Sequence, residues 1–112
     1  MNVYYHPKGE EDKMELRFAD SATERCFNEE AYAAERWGLD MAARFRYILN
    51  FLTCIDTAGD IGRFAFLDAR HVDDASGRRW TLRVWGEWRL ALESVEDGQA
   101  LGIMEVYCRD ER

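Results

Sequence analysis

Three arginines, Arg79, Arg83 and Arg89, fall on the same face of a predicted β-hairpin. Successive side chains of a strand point to opposite faces, and Gly86-Glu87 lies where a turn would reverse the chain. The opposite face is apolar and aromatic, with Trp80, Leu82, Val84, Trp88, Leu90 and Leu92. A sheet face that gathers guanidinium groups in an acidic chain is a candidate anion-binding surface, and phosphate is the usual anion.

Other side chains suited to phosphate chemistry lie beside this hairpin and near the end of the chain. Cleavage of RNA by its own 2′-hydroxyl requires a group that takes the hydroxyl proton, cations that stabilise the phosphorane, and a proton donor for the leaving 5′-oxygen. Arginine supplies the charge, and histidine, tyrosine or a carboxylate can move protons. Trp85 is predicted to point to the arginine face, where it can stack on a base. The remaining candidates are Arg70, His71, Tyr107 and Arg109.

A purely structural role for the arginines is the alternative. Arginines are common on the wet face of an antiparallel sheet, where acidic neighbours pair with them. The chain offers many such neighbours, because 22 Asp and Glu residues outnumber 15 Lys and Arg residues and give a net charge of −7. This balance argues against non-specific nucleic-acid binding, which is typical of basic proteins, but it allows a focused site.

The composition bounds the class of protein. The length of 112 residues predicts one domain with its own core, and no stretch is apolar enough to span a membrane. Three scattered cysteines, Cys26, Cys54 and Cys108, predict reduced thiols in a cytoplasmic protein, with the first two in the core. A Gly-rich phosphate loop, an HExxH motif and a serine elbow are all missing from the sequence, so no metal or other cofactor is predicted.

The hydrophobic pattern predicts an α+β fold in the order β-α-α-β-β-β-β, with two N-terminal helices packed on a mainly antiparallel sheet. Residues 1–13 are interpreted as an N-terminal extension, and residues 14–112 as the domain. The first helix is expected to begin at a Ser21/Glu24 capping box and to end near Trp37. Asp40 is expected to cap the second helix, whose apolar spacing continues to Ile55. Strands are predicted at residues 14–19, 64–67, 79–85, 88–93 and 100–108.

Three stretches of the chain resemble the RelE/ParE toxin superfamily, and in particular its HigB-like branch. They are Arg17-Phe18-Ala19-Asp20, the helical segment at residues 45–58, and the tryptophan- and arginine-rich segment at residues 79–89. The similarity extends over residues 14–108. It implies a toxin of a type II toxin–antitoxin pair, a metal-independent endoribonuclease that cuts mRNA on the ribosome and is neutralised by its cognate antitoxin.

The resemblance also implies roles for individual residues. Arg89 matches the sheet arginine of the family, Tyr107 matches the tyrosine of its C-terminal Asp-Tyr-His ending, and His71 or Arg70 matches a loop residue near the scissile phosphate. The chain has Val106 and Cys108 where that ending has its acid and its histidine. The predicted catalytic residues are therefore His71, Arg89 and Tyr107, and the predicted RNA-binding residues are Arg70, Arg79, Arg83, Trp85 and Arg109.

A second hypothesis follows from the acidic charge and from the two departures. The chain would then be a non-catalytic inhibitor or decoy, carried by a phage or mobile element, that occupies a basic, nucleic-acid-binding site on a partner protein. Carboxylates of the first helix, including Glu29, Glu30 and Glu35, would make the contact. A ParE-like toxin that poisons gyrase is a third alternative.

Overall fold

Five strands form one mixed sheet in the computed structural model, which describes residues 13–72 and 77–109. The order across the sheet is β1-β5-β4-β3-β2; β1 runs parallel to β5, and the other neighbouring pairs are antiparallel. The predicted α+β class is confirmed. Residues 1–12 of the predicted extension lie outside the described residues. The strands are β1 (Glu15–Phe18), β2 (Arg70–His71), β3 (Arg79–Trp85), β4 (Trp88–Val95) and β5 (Ala100–Cys108).

Three helices, rather than the predicted two, cover one face of the sheet: α1 (Ser21–Asn28), α2 (Glu30–Trp37) and α3 (Leu39–Leu52). The backbone of Glu29 is extended (φ −125°, ψ 107°) and divides the predicted first helix. The carbonyl oxygen of Phe27 accepts a hydrogen bond from Arg46 Nε of α3 at 3.0 Å. This side chain satisfies a carbonyl near the helix end, so the break depends on tertiary contacts.

The helix starts also differ from the predicted ones. Asp20, not Ser21, is the N-cap of α1, and its Oδ1 accepts from the backbone N–H of Thr23 at 2.7 Å. That hydrogen bond is the main reason that the pKa of Asp20 lies below its usual value. Asp40 lies in the first turn of α3, because Gly38 (φ 89°) both ends α2 and precedes α3.

The predicted strand at residues 64–67 is wrong. Two short 3-10 helices, Ala58–Arg63 and Ala65–Leu67, occupy this region, and the strand that follows has only two residues. The ring of Phe51 on α3 lies edge-on to Phe64 and Phe66, with centroid distances of 4.8 and 5.1 Å. Phe64 and Phe66 therefore pack against α3 and do not form a strand, which an apolar run of four residues does not reveal.

The core lies between α3 and the sheet. The spacing of apolar residues on α3 is as predicted, but the helix ends at Leu52, before Ile55. Cys26 is buried as expected, whereas Cys54 lies beyond the end of α3 and is exposed, so its predicted place in the core is wrong. The largest fully buried side chains are Phe45, Ile48, Leu49, Leu52, Ile61, Leu67, Leu82, Leu90, Leu92, Leu101 and Ile103.

Replacement of the α1 cap tests this local structure. We expect Asp20→Ala to lower the free energy of unfolding by about 1 kcal/mol, because a backbone N–H at the helix start loses its acceptor. Ser21→Ala is the matched control and should have little effect. Urea unfolding at neutral pH measures both, and a larger loss in Ser21→Ala would contradict the assignment.

The same comparison has an expected pH dependence. The pKa of Asp20 is lower in the folded protein than in the unfolded chain. Its contribution to stability is therefore complete above the ordinary carboxyl pKa and is lost as the pH falls through the lowered folded value. The difference between the wild type and Asp20→Ala should shrink over that acidic range, while the Ser21→Ala control should show no such trend.

Candidate functional site

The sheet face opposite the helices carries the predicted row of arginines. In the β3–β4 register, Arg83 lies opposite Arg89 and Arg79 lies opposite Glu93, so all four side chains share one face. The intervening residues Leu82, Val84 and Leu90 are buried against the helices. The hairpin and its division into an apolar and a cationic face are confirmed.

Part of this face is concave. A cavity of about 230 Å³ lies between the β3–β4 turn, the segment before β2 and the end of β5. Four arginines line it against only two carboxylates, so the local charge is positive although the chain is acidic. The lining residues are Asp68, Arg70, Arg83, Gly86, Glu87, Arg89 and Arg109.

Arg89 forms the inner wall of this cavity and is largely withdrawn from solvent, with a side chain that is 5% exposed. Its Nη1 donates to Asp68 Oδ2 at 3.0 Å, and its Nη2 donates to the Asp68 carbonyl oxygen at 2.9 Å. Nε and Nη2 also donate to Thr81 Oγ1, at 3.2 and 2.9 Å. The planar donor fork of arginine is well suited to several fixed acceptors. In this structure its acceptors are protein atoms.

Asp68 is the residue that Arg89 holds. Its backbone is left-handed (φ 48°, ψ 51°), a conformation that aspartate tolerates better than most residues. The hydrogen bond from Arg89 is the main reason that the pKa of Asp68 lies below its usual value, and the charges of Arg70 and Arg83 add to it. The carboxylate therefore stays ionised, and it also pairs with Arg70 at 3.4 Å.

Arg70, Arg83 and Arg109 are the exposed arginines of the cavity, and Arg83 and Arg109 differ from Arg70 in their contacts. Neither forms an ion pair or a side-chain hydrogen bond with any residue of 13–72 or 77–109. The position of Arg109 is set by its backbone, because its N–H donates to the Glu87 carbonyl oxygen at 3.0 Å. These two guanidinium groups are the ones best placed to meet an anion from solvent.

His71 does not join this cluster, although the sequence placed it with Arg89 and Tyr107. Arg70 and His71 are neighbours on β2, so they point to opposite faces, and His71 pairs in register with Trp80. The His71 and Trp80 rings lie 3.8 Å apart between centroids. His71 therefore lies on the face of the sheet that carries Trp80, and the predicted grouping of His71 with Arg89 is wrong.

The other predicted residues lie around the cavity rather than in it. Tyr107 stands opposite Arg89 in the β4–β5 register, but it lines a separate cavity of about 530 Å³ together with Arg36 and Trp37. Arg79 forms an ion pair with Glu93 at 3.0 Å. Trp85 does not line this cavity, and a register shift lies between Arg83 and Trp85.

Two carboxylates of the cavity, Asp68 and Glu87, were not among the predicted site residues. Glu87 belongs to the β3–β4 turn, where an acidic residue is ordinary, and Asp68 lies in a segment with no periodic pattern. The sequence signal near these two residues is Gly86, which predicts a turn. In the structure Gly86 has a positive φ of 57°. Within the part of the chain that the structure describes, no three His, Cys, Asp or Glu side chains are grouped to hold a metal ion.

Substitution of two arginines separates a structural from a ligand-facing role. We expect Arg89→Ala to lower the free energy of unfolding by roughly 2 kcal/mol, because Asp68 and Thr81 lose charged hydrogen bonds. Arg83→Ala should stay within about 0.5 kcal/mol of the wild type, as is usual for an exposed side chain. Arg89→Lys should not restore stability, since an ammonium group cannot replace the fork. Chemical denaturation measures all three, and equal losses at the two positions would contradict the assignment.

The fold of this chain is similar to that of a solved structure, whereas its sequence matches no known family model. No protein-family model and no curated protein sequence matches the chain. Among solved structures, the crystal structure of YafQ from E. coli strain BL21(DE3) is similar, with a TM-score of 0.53 over 88% of this chain and 96% of that chain. The sequence identity is 12%, so this likeness bears on architecture alone. The chain shares the α+β fold of YafQ, and the fold class predicted from the sequence agrees with it.

Proposed function

We propose that this protein is a toxin of a type II toxin–antitoxin pair that binds mRNA in the arginine-lined cavity and cleaves it. The observation that carries the proposal is the cluster of four arginines in a concave site of a RelE-like fold. A cognate antitoxin would neutralise it by binding. The HigB-like branch remains our preferred placement within the superfamily, on the sequence resemblance.

Phosphate binding would depend chiefly on Arg83 and Arg109. Both are exposed and without an ion pair among the described residues, so they can form bidentate contacts to phosphate oxygens. Arg70 shares Asp68 with Arg89 and would add charge at the rim. Arg89 would act as a positioning residue, because its own donors already hold Asp68 and Thr81.

Cleavage by this arrangement would use the RNA's own nucleophile. The 2′-oxygen forms a bond to the adjacent phosphorus, the bond from phosphorus to the 5′-oxygen breaks, and a 2′,3′-cyclic phosphate and a 5′-hydroxyl result. Glu87, the exposed carboxylate of the cavity, would accept the 2′-hydroxyl proton, and water would protonate the leaving oxygen. Arg83 and Arg109 would stabilise the charge of the phosphorane. His71, on the other face, takes no part in this arrangement.

The charge of the chain supports dependence on the ribosome. A net charge of −7 repels free RNA at long range, while the cationic cavity attracts phosphate only at short range. A ribosome that already holds the mRNA would supply the missing affinity. We therefore propose the cytoplasm as the site of action, where the described thiols, Cys26, Cys54 and Cys108, would stay reduced.

Three variants test the proposal in cell-free translation, with new 5′ ends mapped on the mRNA. The double variant Arg83→Gln/Arg109→Gln should lower the cleavage rate by about 100-fold, because phosphate binding and phosphorane stabilisation are lost. Glu87→Gln should lower it by about 100-fold while RNA binding is kept, since only the proton acceptor changes. Arg63→Gln, an exposed arginine outside the cavity, is the matched control and should cleave normally.

Growth provides the second measurement. Expression of the wild type should arrest a susceptible host, and the double arginine variant should not. Absence of cleavage in translation extracts, together with normal growth, would overturn the proposal. Cleavage that is unchanged in the double variant would place the active site elsewhere.

The non-catalytic decoy is the second candidate, and it is favoured by the exposed carboxylates Glu29 and Glu30 at the α1–α2 junction and Glu35 on α2. One of them, Glu29, is paired with Arg25 at 3.0 Å, and its exposed position leaves the charge open to solvent.

The decoy hypothesis predicts a complex with a protein instead of cleavage of RNA. A complex with a basic, nucleic-acid-binding protein should weaken as salt is added. It should also weaken when Glu29, Glu30 and Glu35 are changed to Lys, and it should be indifferent to Glu87→Gln. Pull-down at two salt concentrations measures this. Binding that survives the charge reversal would exclude the acidic-surface mechanism.

A further inference from the structure

A second cavity adjoins the arginine-lined one at the end of β3. It has a volume of about 310 Å³, near the lower end of the range for small-molecule sites. Arg83 and Gly86 line both cavities, so the two are neighbours at the β3–β4 turn. Its lining contains two arginines and no carboxylate: Arg44, Phe66, Arg83, Val84, Trp85 and Gly86.

Two aromatic rings of this second cavity are open to solvent. Trp85 is 48% exposed and Phe66 is 40% exposed, although large apolar side chains are usually covered. The cavity thus combines aromatic faces with cations, next to a site for phosphate. Aromatic and guanidinium planes are the groups on which proteins stack unpaired bases.

The second cavity is also preorganised. Phe51 of α3 holds the Phe66 ring edge-on at 5.1 Å, and the Arg44 guanidinium lies 5.7 Å from the Phe66 centroid. Arg44 lies over the Tyr47 ring as well, at 5.4 Å. Gly86 adopts a positive φ of 57°, and a Cβ at this position would have no atom within 4 Å, so this point of the turn faces open space.

We infer that this second cavity is a subsite for one nucleobase of single-stranded RNA, whose neighbouring phosphate occupies the arginine-lined cavity. Trp85 and Phe66 supply the stacking surfaces, and Arg44 supplies a cation next to them. Arg83, which lines both cavities, contacts the backbone between base and phosphate. The inference rests on the proposed RNA-binding function and adds to it an unpaired base as the recognised group.

The experiment uses a short, fluorescently labelled oligoribonucleotide whose 2′-hydroxyls are methylated, so that it binds without being cleaved. A second probe of the same length has one abasic position, which keeps every phosphate and removes one base. The abasic position is moved along the probe. Affinities are measured at low salt by fluorescence anisotropy for the wild type, Trp85→Ala, Trp85→Phe and Phe66→Ala.

We expect Trp85→Ala to weaken binding of the intact probe about tenfold, since stacking is lost. Trp85→Phe keeps an aromatic face and should retain most of the affinity. One abasic position should weaken wild-type binding about tenfold and should have no further effect on Trp85→Ala, because the base and the ring then belong to one interaction. Leu39→Ala, at an exposed residue outside both cavities, is the control and should bind as the wild type does.

Wild-type affinity in Trp85→Ala and Phe66→Ala would overturn the inference, as would an abasic effect that persists in Trp85→Ala. The inference would also be overturned if these variants bound RNA normally but no longer bound a protein partner. The second cavity would then belong to a protein interface. The proposed function fails separately, if Arg83→Gln/Arg109→Gln binds the intact probe like the wild type. Equal urea midpoints of Trp85→Phe and the wild type establish that the fold is kept.

Discussion

The buried guanidinium of Arg89 is the contact on which the geometry of the site depends. It joins β4 to β3 through Thr81 and joins both to the left-handed turn at Asp68. A buried charge is costly unless its donors are satisfied, and here the acceptors come from two separate elements. The segment before β2 is thereby held against the sheet, which brings Arg70 to the rim of the cavity. The concavity is a consequence of this internal ion pair.

The site concentrates positive charge within an acidic protein. The donors of Arg89 are bonded to Asp68 and Thr81, and Arg79 is paired with Glu93. Arg83 and Arg109, in contrast, are exposed to solvent. Arginines that look alike in the sequence therefore divide into those held by protein acceptors and those exposed to solvent. Charges beyond about 10 Å are screened by salt, so such a cavity acts on an anion only at close approach. Under the proposed function, this suits an RNA presented by a larger assembly better than one captured from solution.

The helical layer shows how tertiary contacts override local pattern. Residues 21–37 contain no glycine or proline, and the apolar spacing continues across the break at Glu29. The break separates α1, where Phe27 stacks on Phe18 of β1, from α2, where Trp37 packs on Phe45 and Trp88. Arg46 supports the new helix end from a residue far along the chain. A pattern read over the residues of one helix cannot reveal a contact with Arg46, which is 19 residues away from Phe27.

The sequence by itself determined the fold class, the β3–β4 hairpin, the periodic core face of α3 and the shared face of Arg79, Arg83 and Arg89. These features follow from periods of two and 3.6 residues, which are local properties of the chain. The tertiary structure alone decided which arginines are buried, that Asp68 and Glu87 enter the cavity, and that His71 lies across the sheet. Each of these depends on a loop conformation or on a partner distant in sequence, and such contacts leave no periodic signal.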